Sequence, residues 1–444
     1  MALAVPALSA VGAVASSRAA PPAGGGARAA VASRVFDPVG ANGVAQSALL
    51  RLSQRVTASV PARVLAGVSV NTHAGIVNVY LARGAGGRTA VAAAVPARQA
   101  GLVRVHRVPL SGAALSAAMA RAGSVAGRLA AGRVPVQSWW RDFTRGVIVV
   151  SLYRPTAAQK AAAVRALAGI PARVTATRVK IAPIPAVTAP AATGRAAALV
   201  GHNRAFDTSP FAGGDFIDST FGGFFHFCTD SWPIKFGGKQ YITTAGHCAP
   251  AGHKWIVLTL NKNKQPLGNR KVVGIGAKNR LKTRHHLDVQ VLPTANVASV
   301  WSGKVLNNNL SAVRSHFIAP VGTKVCNDGA YEGTVCGAKI VKSHFDSCVV
   351  TSDGKMCHLY MAHKPAGEVL IGQGDSGGPD YVVLRTSGGL VTRVKGIGLN
   401  SLETVANLNC PFFKWRGPVC SNTMLFTGLN AILKSYSATL RTRR

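Results

Sequence analysis

All eight cysteines of this 444-residue chain lie after residue 227, at Cys228, Cys248, Cys326, Cys336, Cys348, Cys357, Cys410 and Cys420. An even number confined to one part of a chain implies disulfides and an oxidising compartment. No pair has the short spacing of a zinc knuckle, and the serine chemistry read below needs no metal and no cofactor. Sequence by itself leaves the pairing open.

The cysteine-bearing part is made of short apolar runs broken by Gly, Asn and Asp. Examples are KWIVLTL at 254–260, LDVQVLP at 287–293, DYVVLR at 380–385 and TRVKGIGL at 392–399. Many short strands with turn signals imply a β-sandwich or β-barrel. The chain ends in LNAILKSYSATL at 429–440, an amphipathic helix.

The first 200 residues have another texture. They are rich in Ala, Val and Arg, and carry 23 Lys and Arg against two acids, Asp37 and Asp142. Residues 201–444 carry 28 Lys and Arg against 13 acids. Such a charge could draw a nucleic acid or an anionic polymer. No aromatic–basic binding motif accompanies it, so no specific nucleic-acid partner is expected.

Residues 1–29 read as a partial signal peptide. The uncharged MALAVPALSAVGAVASS ends near AVA at 13–15, but lacks a positive n-region. No other stretch is apolar enough to span a membrane. Residues 30–180 read as a separate α+β unit with a duplicated β-hairpin, GVSVNTHAGIVNVYLARG at 67–84 and VQSWWRDFTRGVIVVSLYRP at 136–155. A helix over 156–169 should start at Thr156 and Gln159, a capping box, and stop at Gly169. Residues 181–200, IAPIPAVTAPAATGRAAALV, read as an exposed, cleavable Pro/Ala linker.

Two short stretches carry the chemistry. YITTAGHC places His247 at the end of an apolar run, and GDSGGP places Ser376 among glycines. A serine hydroxyl is a weak nucleophile until a base takes its proton, and His247 is the candidate base. A buried carboxylate must then orient the imidazole. Asp288 is the best choice, since it opens the alternating LDVQVLP strand. Asp328 and Asp353 sit in Gly-containing turns, Asp346 adjoins a cysteine, and His285 and His286 read as a surface loop. The order His247, Asp288, Ser376 has steps of 41 and 88 residues.

On these motifs residues 201–444 resemble a chymotrypsin-fold serine protease, closest to the secreted bacterial streptogrisin and α-lytic protease branch. SPFAGGDFI at 209–217, VCNDGAYEGTVCG at 325–337 and GIGLNS at 396–401 support that branch. Residues 30–180 resemble, more weakly, its duplicated pro-region. The resemblance implies an all-β double six-stranded barrel with a C-terminal helix, and a secreted serine endopeptidase made as a proenzyme. It implies an oxyanion hole at the N–H groups of Gly374 and Ser376, and Asp375 as a residue that shapes their loop.

The resemblance also implies the pairs Cys228–Cys248 and Cys326–Cys336. The branch often has a cysteine where Leu370 stands here, which leaves Cys410 free for Cys420, and Cys348 for Cys357. Leu370 and Ile371 are expected to wall the primary pocket, with Leu399 and Ser401 in the segment that pairs with substrate. An apolar or small residue is therefore expected before the cut, with Glu368 the one acid placed to alter that. The implied partners are protein or peptide substrates and the chain's own pro-region, as chaperone and inhibitor, around a monomer. The segment NSLETV at 400–405 departs from the family's Ser-Gly-Gly. That departure supports an alternative, a catalytically inactive homologue acting as a secreted binding or wall-associated protein.

Overall fold

The computed structural model describes residues 37–84, 86–183, 203–221, 224–260, 266–306, 309–343, 347–404, 408–410 and 419–443. The leader expected at 1–29, and the linker expected at 181–200 apart from its first three residues, lie outside them.

After residue 203 the short alternating runs form two β-barrels. In the first, strands pair in the order Pro266–Ile275, Lys254–Leu260, Phe216–Phe221, Phe224–Phe236, Lys239–Thr244, Gln290–Pro293. A bridge between Ala277 and Val291 closes the ring. Gly237 and Gly238 make the tight turn between two of these strands, both at positive φ (53° and 76°), which a two-residue hairpin turn demands. The inward residues Trp232, Ile242, Trp255, Val289 and Val291 are buried together.

The second barrel is a closed ring of six strands. Pro379–Ser387 pairs with Lys324–Gly329, followed by Gly333–Lys342, Leu359–His363, Thr423–Gly428 and Leu390–Thr404, which pairs back onto Pro379–Ser387. The architecture is thus the double six-stranded barrel expected from sequence. The C-terminal helix, Leu429–Tyr436, buries Leu429, Ile432, Leu433 and Tyr436 in the core cluster of the first barrel. It stops at Ser437, in the left-handed region at φ 52°. Four disulfides join Cys228 to Cys248, Cys326 to Cys336, Cys348 to Cys357 and Cys410 to Cys420.

Residues 37–183 form two lobes of one plan: a helix, an antiparallel hairpin, a second helix, and a third strand parallel to the hairpin's second strand. The first lobe runs through Gln46–Ser59, Leu65–Asn71, Ile76–Ala82, Gly87–Ala94 and Val103–Val108. The second runs through Gly112–Ala131, Val136–Asp142, Val147–Tyr153, Ala157–Ala166 and Ala172–Thr177. Its capping box is formed: Thr156 Oγ1 accepts from Gln159 N (3.2 Å), and Gln159 Oε1 accepts from Thr156 N (2.9 Å). The helix ends at Ala166, and Gly169 follows at φ 77°.

Both lobes pack on the second barrel. Leu49, Leu52 and Val56 of the first helix share a cluster with Phe317, Val325 and Ile340 of the barrel. Each such side chain contributes roughly 1.5–3 kcal/mol through burial. The Gln46 side chain donates to Lys324 O (2.9 Å) and accepts from Lys324 N (2.7 Å). In the second lobe Val136–Asp142 pairs with Cys348–Thr351, so the Cys348–Cys357 hairpin extends the lobe's sheet to five strands.

The first three residues of the expected linker are not an exposed coil. Ile181–Pro183 is a strand, antiparallel to Leu402–Thr404 of the second barrel, and Ile181 is buried. Its Pro/Ala composition gives no strand signal. The open edge of the neighbouring strand supplies the pairing instead.

Candidate active site

The strand Lys239–Thr244 delivers His247 to the junction of the barrels. Thr244 Oγ1 donates to Thr229 O (2.8 Å), which fixes the strand end. At Gly246 a Cβ would lie 2.7 Å from Asn279 Oδ1 and 3.0 Å from Val289 N. Only a glycine lets the segment carrying Asp288 approach so closely. Asp288 is fully buried. Its Oδ1 accepts the backbone N–H of His247 (2.8 Å), and its Oδ2 lies 2.7 Å from Nδ1. A carboxylate can only accept here, so Nδ1 carries the proton and Nε2 is left as an acceptor. Nε2 lies 2.9 Å from Ser376 Oγ. His247, Asp288 and Ser376 are brought together as one hydrogen-bonded chain.

The serine turn is held from three sides. Asp375 N donates to Gly372 O (3.1 Å), Gly377 N to Asn400 O (2.8 Å) and Gly378 N to Asp375 O (3.0 Å). The Asp375 carboxylate accepts from the N–H groups of Gly372 (2.9 Å), Tyr331 (2.9 Å) and Glu332 (3.2 Å). Asp375 therefore ties the turn to the Cys326–Cys336 hairpin and stands outside the hydrogen-bonded chain of Asp288, His247 and Ser376. Gly374 and Gly377 take φ 92° and 91°. The N–H groups of Gly374 and Ser376 have no acceptor among the described residues. Ser376 is 1% exposed, and the His247 side chain 3%.

The surrounding residues differ from the sequence reading in three ways. Leu370 and Ile371, expected to wall the pocket, are buried in the core shared by the second barrel and the first lobe. Gly372, the next residue, packs against the Cys410–Cys420 disulfide: a Cβ there would lie 2.6 Å from Cys420 Sγ. Leu399 cannot offer its backbone to a substrate, because it pairs with Pro379 on one side and Thr427 on the other. Ser401 is buried, its Oγ 2.7 Å from Thr427 Oγ1. The part of this strand with an edge open to an added strand is Leu402–Thr404, where Ile181–Pro183 lies. Glu368 is exposed and paired with Lys364 (2.9 Å), away from the serine.

The sequence reading took Glu403 with Leu402 as residues that narrow the cleft, and gave Glu332, Asp328, His285 and His286 no role in the site. Glu332 and Glu403 stand near the serine turn, and burial with repulsion from Asp375 pushes each carboxyl up to about 8. Asp328, read as a turn residue, is buried against Arg204 at 2.9 Å. Arg204 also donates to Gly329 O (2.9 Å) and so pins the start of the first barrel to the second. His285 and His286 are half-buried, and the His286 carbonyl accepts from Cys357 N (2.7 Å). Glu332 lies near Cys410 and Cys420. Those two sulfurs are joined to each other, so they offer no thiolate to a metal.

No protein-family model matches the chain, and no curated protein matches it. Among solved structures it is similar to Thermobifida fusca Protease A, at 19% identity and a TM-score of 0.34, over 52% of this chain and 99% of that one. It is similar to a Nocardiopsis protease at 20% identity and a TM-score of 0.34, over 52% and 99%. Cellulomonas bogoriensis chymotrypsin matches at 21% identity and a TM-score of 0.33, over 52% and 98%.

Proposed function

We propose that this chain is a serine endopeptidase, secreted and made as a proenzyme, with residues 30–180 as pro-region and 201–444 as the peptidase. The observation that carries the reading is the hydrogen-bonded chain from Asp288 through His247 to Ser376, at 2.7 and 2.9 Å. Four disulfides support passage through an oxidising compartment.

In this reading Ser376 Oγ attacks the peptide carbonyl while Nε2 of His247 takes its proton. The tetrahedral oxyanion sits against the N–H groups of Gly374 and Ser376. One such donor contributes about 3 kcal/mol to the transition state. Asp288 stabilises the imidazolium, which then hands its proton to the leaving amine. Water attacks the acyl-enzyme by the same relay in reverse and regenerates Ser376.

The proenzyme part is supported by the strand Ile181–Pro183. It adds to the edge of Leu402–Thr404 as an extended peptide adds to a sheet.

The test is Ser376→Ala. It should lower kcat by about four orders of magnitude or more while the fold persists. Residual activity within about tenfold of the parent, on folded protein, would remove Ser376 from the chemistry.

A further inference from the structure

Strand alternation decides which side chains of Leu390–Thr404 face the serine turn. A bulge between Asn400 and Leu402 resets the alternation. Past it, Leu402 joins an apolar cluster with Leu281, Leu359 and Leu425. Glu403, the next residue, points to the opposite face. Its partner across the ladder is Met424, and its carboxyl feels the charge of Asp375, directly before the nucleophile.

Glu332 comes to Asp375 from the Cys326–Cys336 hairpin, its backbone N–H donating to Asp375 Oδ1 (3.2 Å). A Cβ on Gly372 would lie 3.4 Å from Glu332 Oε1 and 2.6 Å from Cys420 Sγ. Gly372 stands four residues before Ser376 and donates its N–H to Asp375 Oδ2 (2.9 Å), so Glu332 lies against the serine turn. Glu332 Oε1 also lies 3.4 Å from Cys420 Sγ, but a disulfide sulfur has no proton to give.

Neither acid has a cation beside it among the described residues. Glu403 is 2% exposed, and its Oε2 takes no hydrogen bond among the described residues. Neither glutamate enters an ion pair among them. Burying two unpaired acids beside a third carboxylate is costly unless a cation arrives to use them. Burial and the Asp375 charge hold both in the protonated range near neutrality, at about 8. An entering ammonium or guanidinium would displace those protons to solvent and leave paired carboxylates.

We propose that Glu403 and Glu332 make the primary pocket a receptor for a cationic side chain, so that the peptidase cuts after Lys or Arg. This rests on the peptidase reading above and reverses the apolar preference expected from Leu370 and Ile371. Glu403 and Glu332 are specificity residues in this account and take no part in the bond-breaking step.

The experiment uses the secreted product of the full chain, after whatever processing it undergoes. Active sites are counted with a serine-directed phosphonofluoridate, and kcat/KM per active site is measured on paired substrates with Arg, Leu or Ala before the cut. Arg should be preferred by about 100-fold or more. Glu403→Gln and Glu332→Gln should each collapse the Arg-to-Ala ratio by at least about tenfold, the effect of removing one member of a buried charge pair. Benzamidine binding, read by calorimetry on the same preparations, should release protons and weaken in both variants. Stoichiometric labelling with a preference for Leu or Ala would overturn this inference and leave the peptidase reading intact. An unlabelled, inert product would defeat the peptidase reading. Benzamidine would then still decide whether the acids form a cation site, and no binding would overturn that too. If Glu403→Gln does not fold, Glu332→Gln and the parent's substrate profile decide.

Discussion

The peptide at Gly374, proposed above as an oxyanion donor, is where a single methyl group should do the most damage. Gly374 takes φ 92°, and a Cβ there would lie 2.0 Å from Cε2 and 2.2 Å from Cδ2 of Tyr331. That ring has little room to move: it is 2% exposed and lies 4.6 Å from the Phe216 ring, centroid to centroid. Its backbone N–H is tied to Asp375 Oδ1 (2.9 Å). Gly374→Ala must therefore shift the 374–376 turn. The left-handed backbone and the overpacking together should destabilise the chain by about 2–5 kcal/mol. Displacing one oxyanion donor should lower kcat by about 10²–10³ with KM less affected. Stability is read by urea unfolding in a Ser376→Ala background, and kcat per active site in the parent background. Adding Tyr331→Ala removes the contact but not the positive φ. The double variant should thus be about 1–3 kcal/mol more stable than the sum of the two single effects. Strict additivity, or a Gly374→Ala enzyme within tenfold of the parent, would refute the argument.

Two further outcomes follow from the buried acids and from the lobes. Glu332 and Glu403 titrate at about 8 in the folded chain against an ordinary 4.5. The native state therefore holds protons that the unfolded chain has lost. Stability should fall as pH rises from about 4.5 to 8, and Glu403→Gln should flatten that slope by up to about 1.4 kcal/mol per pH unit; an unchanged slope in urea unfolding would contradict the assignment. Residues 201–444 refolded alone should stay inactive, because distant β-pairings form slowly, and residues 30–180 in trans should rescue activity and, in excess, inhibit. Leu52→Ala in the added lobe, at a cost of about 2–5 kcal/mol, should weaken both effects; full activity within minutes from the catalytic part alone would make the lobes a spacer.

What was legible in the sequence is the part fixed by local chemistry. His247 and Ser376 stand out because glycines flank them where the backbone needs positive φ or a close approach. Asp288 was readable from the alternation that follows it, which buries its neighbours. The capping box and the two hairpins are likewise local devices. The surroundings of the serine turn were not legible, because they depend on registers between distant strands. One bulge between Asn400 and Leu402 decides that Glu403 faces the serine turn and Leu402 the apolar cluster. Leu370 and Ile371 read as pocket walls by their distance from Ser376, yet the first lobe and the second barrel together absorb them into a core. Ile181–Pro183 looked like linker because its strand character comes from the edge it joins, not from its own residues.

The central claim is that Ser376 is a nucleophile activated by His247 and Asp288. Its most direct test is mass mapping of the processed, secreted protein after reaction with a phosphonofluoridate. The account expects one equivalent of label, on Ser376, with peptide hydrolysis lost in step and no label on the His247→Ala protein. Hydrolysis that survives complete labelling, or a folded and processed protein that takes no label, would contradict it.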